Sequence, residues 1–498
     1  MGSSRLAIAA GNQLGAQAAA NVARDGGNAV DSCLASAIMA WVAEPSLASI
    51  GGSGFIAIRT PEGTVEVIDG NATMPHTIPE YSGQGLERVY FPDYSDGMWT
   101  GIGPGSIAVP GVLAAVHEAW TRHGRIEWAA LFEDAARAAR DGISFALTPA
   151  YYISTTWSQL WSRFASARAL FEHDGVVLKA GETLVQTDLA ETLDAIAREG
   201  PDVFYGGAVG DTIVSEIAKE GGFLALDDLR SYRAEVRRPI ATNAFGWIVE
   251  SNPPPAVGGA VLTHMLALME GADFSDPIER LKAIVNSQRA ATGYRRQHYN
   301  EPEDIAGALD AELARLQRSM QSPSTTHTSA ADADGYVCSL TESAGYSSGL
   351  IAAGVLLNNT LGEEELNPLG IHRLSPGSRC HSNMAPTIVS GPSRFVGLGS
   401  PGADRIVGAI AQTLIRLAVD DDPLSDAVAA PRAHLDQRAR GETLCYEPGL
   451  PGDELDYLQR PYDELHMYFG GVQSASVDDA GTVDAAHDPR RSGASALV

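Results

Sequence analysis

The stretch SPSTTHTSAADADGYVCSLTES, Ser322–Ser343, decides how this chain reads. Two threonines and a histidine open an alternating run, DADG supplies turn residues, and YVCSLTES alternates again, so the segment predicts a β-hairpin with Thr325 at its head. Threonine-rich strand edges are common, and that plain reading stands on the local pattern. A second reading is chemical. If the bond before Thr325 were cut, the new α-amine, with a reference pKa of about 7.7–8.0, could take the proton of the threonine hydroxyl and make it a nucleophile. That design needs a Thr, Ser or Cys at the start of a strand and backbone N–H groups elsewhere to receive the oxyanion.

Working outward, the chain keeps an α+β pattern. Gln13 to about Val42 predicts two helices split by RDGG, with Gly26 and Gly27 ending the first and Asn28 starting the second. ASIGGSGFIAIRT feeds a strand that pairs across PEGT with VEVID. Its glycines follow a helix and precede a strand, the reverse of a phosphate-binding loop, so close backbone packing is expected. Val109 to Gly142 and much of Ala150 to Gly200 read as helix, as does Ile278 to Met320. His117-Glu118 lacks the second histidine of HExxH and reads as helix surface. RPIATNAFGWIVESN reads as strands. Beyond the threonines the sequence turns to short strands interrupted by the helix RIVGAIAQTLIRLAV.

The 498 residues suffice for a large core. Lys and Arg number 35 against 62 Asp and Glu, a formal charge of −27, which disfavours nucleic acid and anionic membranes as partners. Cys33, Cys338, Cys380 and Cys445 form no CxxC pair and indicate neither a zinc site nor a disulfide framework, and Cys338 reads as a small core residue. CLASAIMAWVAEP is too short to span a bilayer. With no basic stretch followed by an apolar core at the N-terminus, the expectation is a cytoplasmic protein.

Six segments, in order, resemble the γ-glutamyltranspeptidase family: GGNAVDSCLASAIMAWVAEPSLASIGGSGF, STTHTSAADADGYVCSLTES, GVLLNNTLGEEE, PGSRCHSNMAPTIV, GLGSPGADRIVGAIAQTL and AAHDPRRSGAS. The resemblance runs from roughly Ala9 to Ser495. It implies an αββα four-layer sandwich of the N-terminal-nucleophile hydrolases, made as a precursor and cut before Thr325. Chains 1–324 and 325–498 would stay together as one structural domain. Thr325 would be the nucleophile and its α-amine the base. Ser343, eighteen positions on, would supply the family's second hydroxyl, with Thr341 as the near alternative. The backbone N–H groups of Gly402 and Ala403 would receive the oxyanion. No cofactor or metal is implied, and the partner would be a small amide or peptide-like substrate. His327 reads as a packed strand residue, Asn358-Asn359 as a turn, and Arg490 and Arg491 as braces of chain ends.

The resemblance breaks on the substrate side. Asn71 stands where the family's arginine grips the γ-glutamyl carboxylate, and a neutral amide in its place should cost a few kcal/mol of glutamate affinity. Ser382 and Asn383 stand for the family's paired serines, and Gly345 for an asparagine. Glu363 falls near the acid that would receive the substrate's amino group. Little sequence after GEEELNP is left for a lid. Arg373 or Arg379 could replace the missing arginine from another loop. The sequence therefore predicts a self-cleaving amide hydrolase or acyltransferase whose substrate is not ordinary glutathione. The alternatives are conventional γ-glutamyl transfer and an uncut, inactive binding or scaffold relative. A metallo-amidase lacks a ligand cluster in the sequence.

Overall fold

The computed structural model describes residues 4–92, 97–300, 305–309, 325–402, 404–437 and 441–498. Two sheets lie at its centre. The first has seven strands, in the order Glu235–Arg237, Val65–Gly70, Ser53–Arg59, Val337–Ser343, Thr326–Asp332, Leu6–Ala10 and Ala494–Leu497. The second has six, in the order Ile240–Ala244, Trp247–Ser251, Thr387–Ser390, Arg394–Gly399, Gln473–Asp478 and Val483–Ala486. The pairings within both are antiparallel.

Three apolar cores separate four layers. Helix Ala29–Ala43, mostly apolar, is buried at all fifteen positions, Asp31, Ser32 and Ser36 included, and packs on the outer face of the first sheet. This is the predicted apolar run, now a core helix. A thin core that includes Phe55, Ala331, Val337, Ile388 and Val477 fills the space between the sheets. Helices Val257–Met269 and Arg405–Ala418 cover the second sheet. The order is helix, sheet, sheet, helix, the αββα sandwich that the resemblance implied. No helix among the described residues is long and apolar enough to cross a membrane.

The local readings around the hairpin hold. Gly26 takes φ +97° after the first helix, and Asn28 caps the second by accepting from the Asp31 N–H. A Cβ on Gly51 or Gly52 would lie less than 3.0 Å from the carbonyl oxygen of Leu356 or Ser343, so the glycines serve close backbone approach. Cys338 is fully buried. The helix read over Ile278 to Met320 is Pro277–His298, and residues 310–324 lie outside the described ones.

Candidate active site

Strand Thr326–Asp332 pairs with Val337–Ser343 through Thr326↔Glu342, and the latter pairs with Ser53–Arg59 through Ser343↔Ser53. One further step of the hairpin sets Thr325 opposite Ser343. Thr325, Ser343 and Ser53 thus form a row of hydroxyls at one end of the first sheet. All three line a cavity of ≈ 20 Å³. Asn71, Gly345, Glu363, Ser382 and Asn383 line it too, so seven of the nine residues named from the sequence meet in one place, drawn from positions 71 to 383.

Strand alternation sorts the remaining side chains. Thr326 turns toward the helical layer, where its hydroxyl donates to Glu44 at 2.8 Å. His327 turns toward the second sheet, its ring nitrogens 2.8 Å from the Thr341 hydroxyl and 2.9 Å from that of Ser329. Burial pushes its pKa down to about 3. His327 is the packed strand residue expected, and Thr341 serves it; the hydroxyl in the cavity is Ser343.

The acidic end belongs to Glu363. Its carboxyl is buried and pushed well above the usual carboxylate range, mainly by burial and further by the charge of Glu365. Its Oε2 finds no hydrogen-bond partner among the described residues. Gly345 makes room for it. The glycine has φ +62°, its N–H donates to Ser343 Oγ at 2.9 Å, and an added Cβ would lie less than 3.0 Å from Glu363 and Asn359. Gly345→Ala should therefore lose about 1–2 kcal/mol from the left-handed backbone alone, and more from displacing Glu363. Urea titration checks this; an unchanged midpoint would refute it.

The carboxylate-gripping end differs from the expectation. The Asn71 side chain donates to the Cys380 carbonyl at 2.6 Å, so that donor is occupied by backbone. Arg379 is occupied as well: it donates to the carbonyls of Asn71 and Arg233, both at 2.7 Å, and to the Tyr232 hydroxyl. Arg373 is exposed. Neither is among the residues lining the cavity, which corrects the idea that one of them replaces the missing arginine. Arg295 of helix Pro277–His298 does not line the cavity either, but it donates to Oδ1 of Asn383, which does, at 2.5 Å. Beside Asn383, His381 lines the cavity with its Nε2 lacking a partner among the described residues. Burial holds its pKa down to about 3, with the charge of Arg295 adding to the effect.

Gly402 is buried with φ +123° and its carbonyl accepts from Arg405 N–H, but it is not among the cavity residues; Ala403 lies outside the described residues. Asn358 and Asn359 do brace turns. Asn358 bonds the backbone of Gly51, Ala108 and Thr360, while Asn359 accepts from Tyr346 N–H and donates to Gly101 O. Sequence reasoning missed Ser53, Thr360, Leu366, His381, Met384 and Arg295. His381 and Met384 sit inside the quoted PGSRCHSNMAPTIV and were open to notice. Arg295 lies in a helix that reads as merely charged, and no local signal marks it.

Comparison with known proteins accords with this geometry. The family model described as gamma-glutamyltranspeptidase matches residues 15–313 and 310–498. The "Glutathione hydrolase proenzyme" of Escherichia coli (strain K12) is 27% identical over 95% of this chain and 88% of its own length. The "Acylase ACY 1 proenzyme" of Pseudomonas sp. (strain SE83) is 30% identical over 90% of this chain and 85% of its own. The fold matches the crystal structure of cephalosporin acylase from Bacillus halodurans with a TM-score of 0.85, at 23% identity and covering 99% of this chain and 96% of that one. The αββα layers are those of the N-terminal-nucleophile hydrolases, and the chemistry is that of amide hydrolases and acyltransferases. With its sequence matched almost end to end, the chain belongs to the gamma-glutamyltranspeptidase family.

Proposed function

We propose that this chain is a precursor that cuts itself before Thr325 and then works as an amide hydrolase or acyltransferase on an acyl group other than the γ-glutamyl of glutathione. The observation that carries the reading is the convergence of Thr325, at the head of its strand, with Ser343 and the substrate positions around one cavity. After the cut, the α-amine of Thr325 accepts the hydroxyl proton and Oγ attacks the amide carbonyl. The C–N bond then breaks, and the amine leaves with the proton. Water or a second amine attacks the resulting ester and releases Thr325. Ser343 Oγ, opposite Thr325 and tied to Gly345 N–H, orients the nucleophile.

The sheet supports a stable two-chain product. Strands from residues 1–324 and 325–498 interleave within the first sheet: Thr326–Asp332 pairs with Leu6–Ala10, and Val337–Ser343 with Ser53–Arg59. A cut at 324/325 would leave those ladders intact. The cavity of ≈ 20 Å³ has room for about one water, which supports cleavage as the step that admits an acyl group.

Two observations favour an acyl group other than γ-glutamyl: Asn71 offers its amide to backbone rather than to a ligand, and one relative is named an acylase. Conventional γ-glutamyl transfer is favoured by the presence of an acid, Glu363, in the wall of the cavity. Burial, with the charge of Glu365 adding to it, nonetheless holds its pKa well above the usual carboxylate range. The test is intact mass under denaturing conditions, followed by turnover of γ-glutamyl and other acyl anilides. Two chains, the smaller beginning at Thr325, with faster turnover of another anilide is the expected result. A chain that stays whole on long incubation overturns the reading and favours a binding role. Fastest turnover of the γ-glutamyl anilide overturns the substrate assignment alone.

A further inference from the structure

Two of the residues lining the cavity that holds Thr325 carry buried polar atoms with no partner among the described residues: Glu363 Oε2 and His381 Nε2. The family resemblance gives Glu363 a part and gives His381 none. His381 is 1% exposed. His327 is just as deeply buried, but its two ring nitrogens lie against the hydroxyls of Thr341 and Ser329. Burial, with the charge of Arg295 adding to it, pushes the His381 pKa down to about 3, so its ring is uncharged at neutral pH. A buried ring nitrogen without a partner is costly, and in the wall of a substrate cavity a ligand can complete it.

The rest of the wall says what kind of ligand. No lysine or arginine is among the described residues that line the cavity. Arg379 is held by the carbonyls of Asn71 and Arg233, and Arg295 reaches the wall through Asn383 Oδ1. Leu366 and Met384 add apolar surface. An anionic acyl group would leave water without a lining cation to receive its charge, whereas an uncharged one avoids that cost. A hydroxyl both donates and accepts, so it satisfies Nε2 in either tautomer of the ring, which a carbonyl, an acceptor only, does not.

We propose that His381 is a specificity-determining residue of the acyl subsite, and that the acyl group is uncharged, with a hydroxyl bonded to His381 Nε2 and an apolar part against Leu366 and Met384. This rests on the amide-hydrolase reading and narrows it to the amides of hydroxy acids. His381 recognises the acyl group and makes or breaks no bond, because a ring of such low pKa is a poor base at neutral pH.

The test is kcat/KM of the full-length protein for α- and β-hydroxybutyryl anilides and for the succinyl anilide, each against the butyryl anilide. At least one hydroxybutyryl anilide should be favoured about 5- to 100-fold, the range for leaving one buried polar group unpaired. The succinyl anilide should be no better than the butyryl one. His381→Leu should erase the hydroxyl preference, and His381→Gln, which keeps a hydrogen-bonding end, should retain part of it. Should His381→Leu fail to fold, His381→Met serves, its flexible chain filling the same space. A parent protein that lacks the preference, one that favours the succinyl anilide, or a His381→Leu or His381→Met protein that retains the hydroxyl preference overturns the proposal. Intact mass on the same samples separates the two readings. A cut chain that hydrolyses the anilides without preference refutes the His381 subsite alone, whereas an uncut chain that hydrolyses none of them refutes the amide-hydrolase reading and the subsite with it.

Discussion

The Thr325→Ala protein is expected to stay a single chain through long incubation and to lose amide hydrolysis by about 10⁴-fold or more, as removal of a nucleophile does elsewhere. Both losses have one cause, because the same hydroxyl would attack the peptide bond before it and later the substrate carbonyl. Thr325→Ser retains the hydroxyl and should still cut, though more slowly. Ser343→Ala should slow turnover without preventing the cut, since Ser343 only orients Thr325. In the processed parent the base would be an α-amine, so kcat/KM should rise with pH and level off through about 7.7–8.0. Intact mass and a pH–rate series check these outcomes. Two chains from Thr325→Ala would place the nucleophile elsewhere.

Arg490→Met is expected to destabilise the fold by about 3–5 kcal/mol, the usual cost of leaving buried acids with too little positive charge. Arg490 bonds Glu447 at 2.5 Å and Asp488 at 3.0 Å, with the Arg490, Glu447 and Asp488 side chains all fully buried. Arg432 holds the other oxygen of Asp488 at 2.8 Å. Such a loss is a large share of the roughly 5–15 kcal/mol that domains have. The pH dependence has a definite sign. Burial would raise the pKa of Asp488, but Arg432 and Arg490 outweigh it and hold the carboxyl below its ordinary value. The stability from Asp488 is therefore present above its unfolded pKa, about 3.9, and is lost as pH falls through the lower folded value. Urea titrations at neutral and acid pH measure both effects. A loss below about 1 kcal/mol, the scale of a surface pair, would show that the cluster adds little.

This cluster also shows what a sequence reading can reach. The sequence reads Arg490 as a brace of chain ends; the structure has it tie Asp488 to interior segments at Glu447, Val428 and Ala430. Glu447, its partner forty-three residues earlier, carried no sign of that role.

The hairpin lies at the legible extreme. DADG fixes the turn, Asp332 Oδ1 accepts from the N–H groups of Asp334 and Tyr336, and the register centred on Asp334 follows. Register and alternation are local properties, so Thr325 facing Ser343, and Thr326 and His327 pointing to opposite layers, were already implied by the order of residues. The layer order was legible only through the resemblance that the six ordered segments carry.

Which donors remain available to a ligand was not legible. Asn71 offers the same amide in any sequence; whether it meets a substrate depends on a carbonyl at Cys380, more than three hundred residues away. Arg379 was a sound candidate until the carbonyls of Asn71 and Arg233 occupied it, and Arg295 was overlooked because nothing nearby in the chain reveals that its helix ends against Asn383. The sequence by itself determined the strand, the turn and the facing hydroxyls, because period and turn chemistry act over a few residues. Tertiary structure alone decided which polar groups the backbone occupies and which stay open to substrate, because that competition is settled by distant segments packed within hydrogen-bond reach.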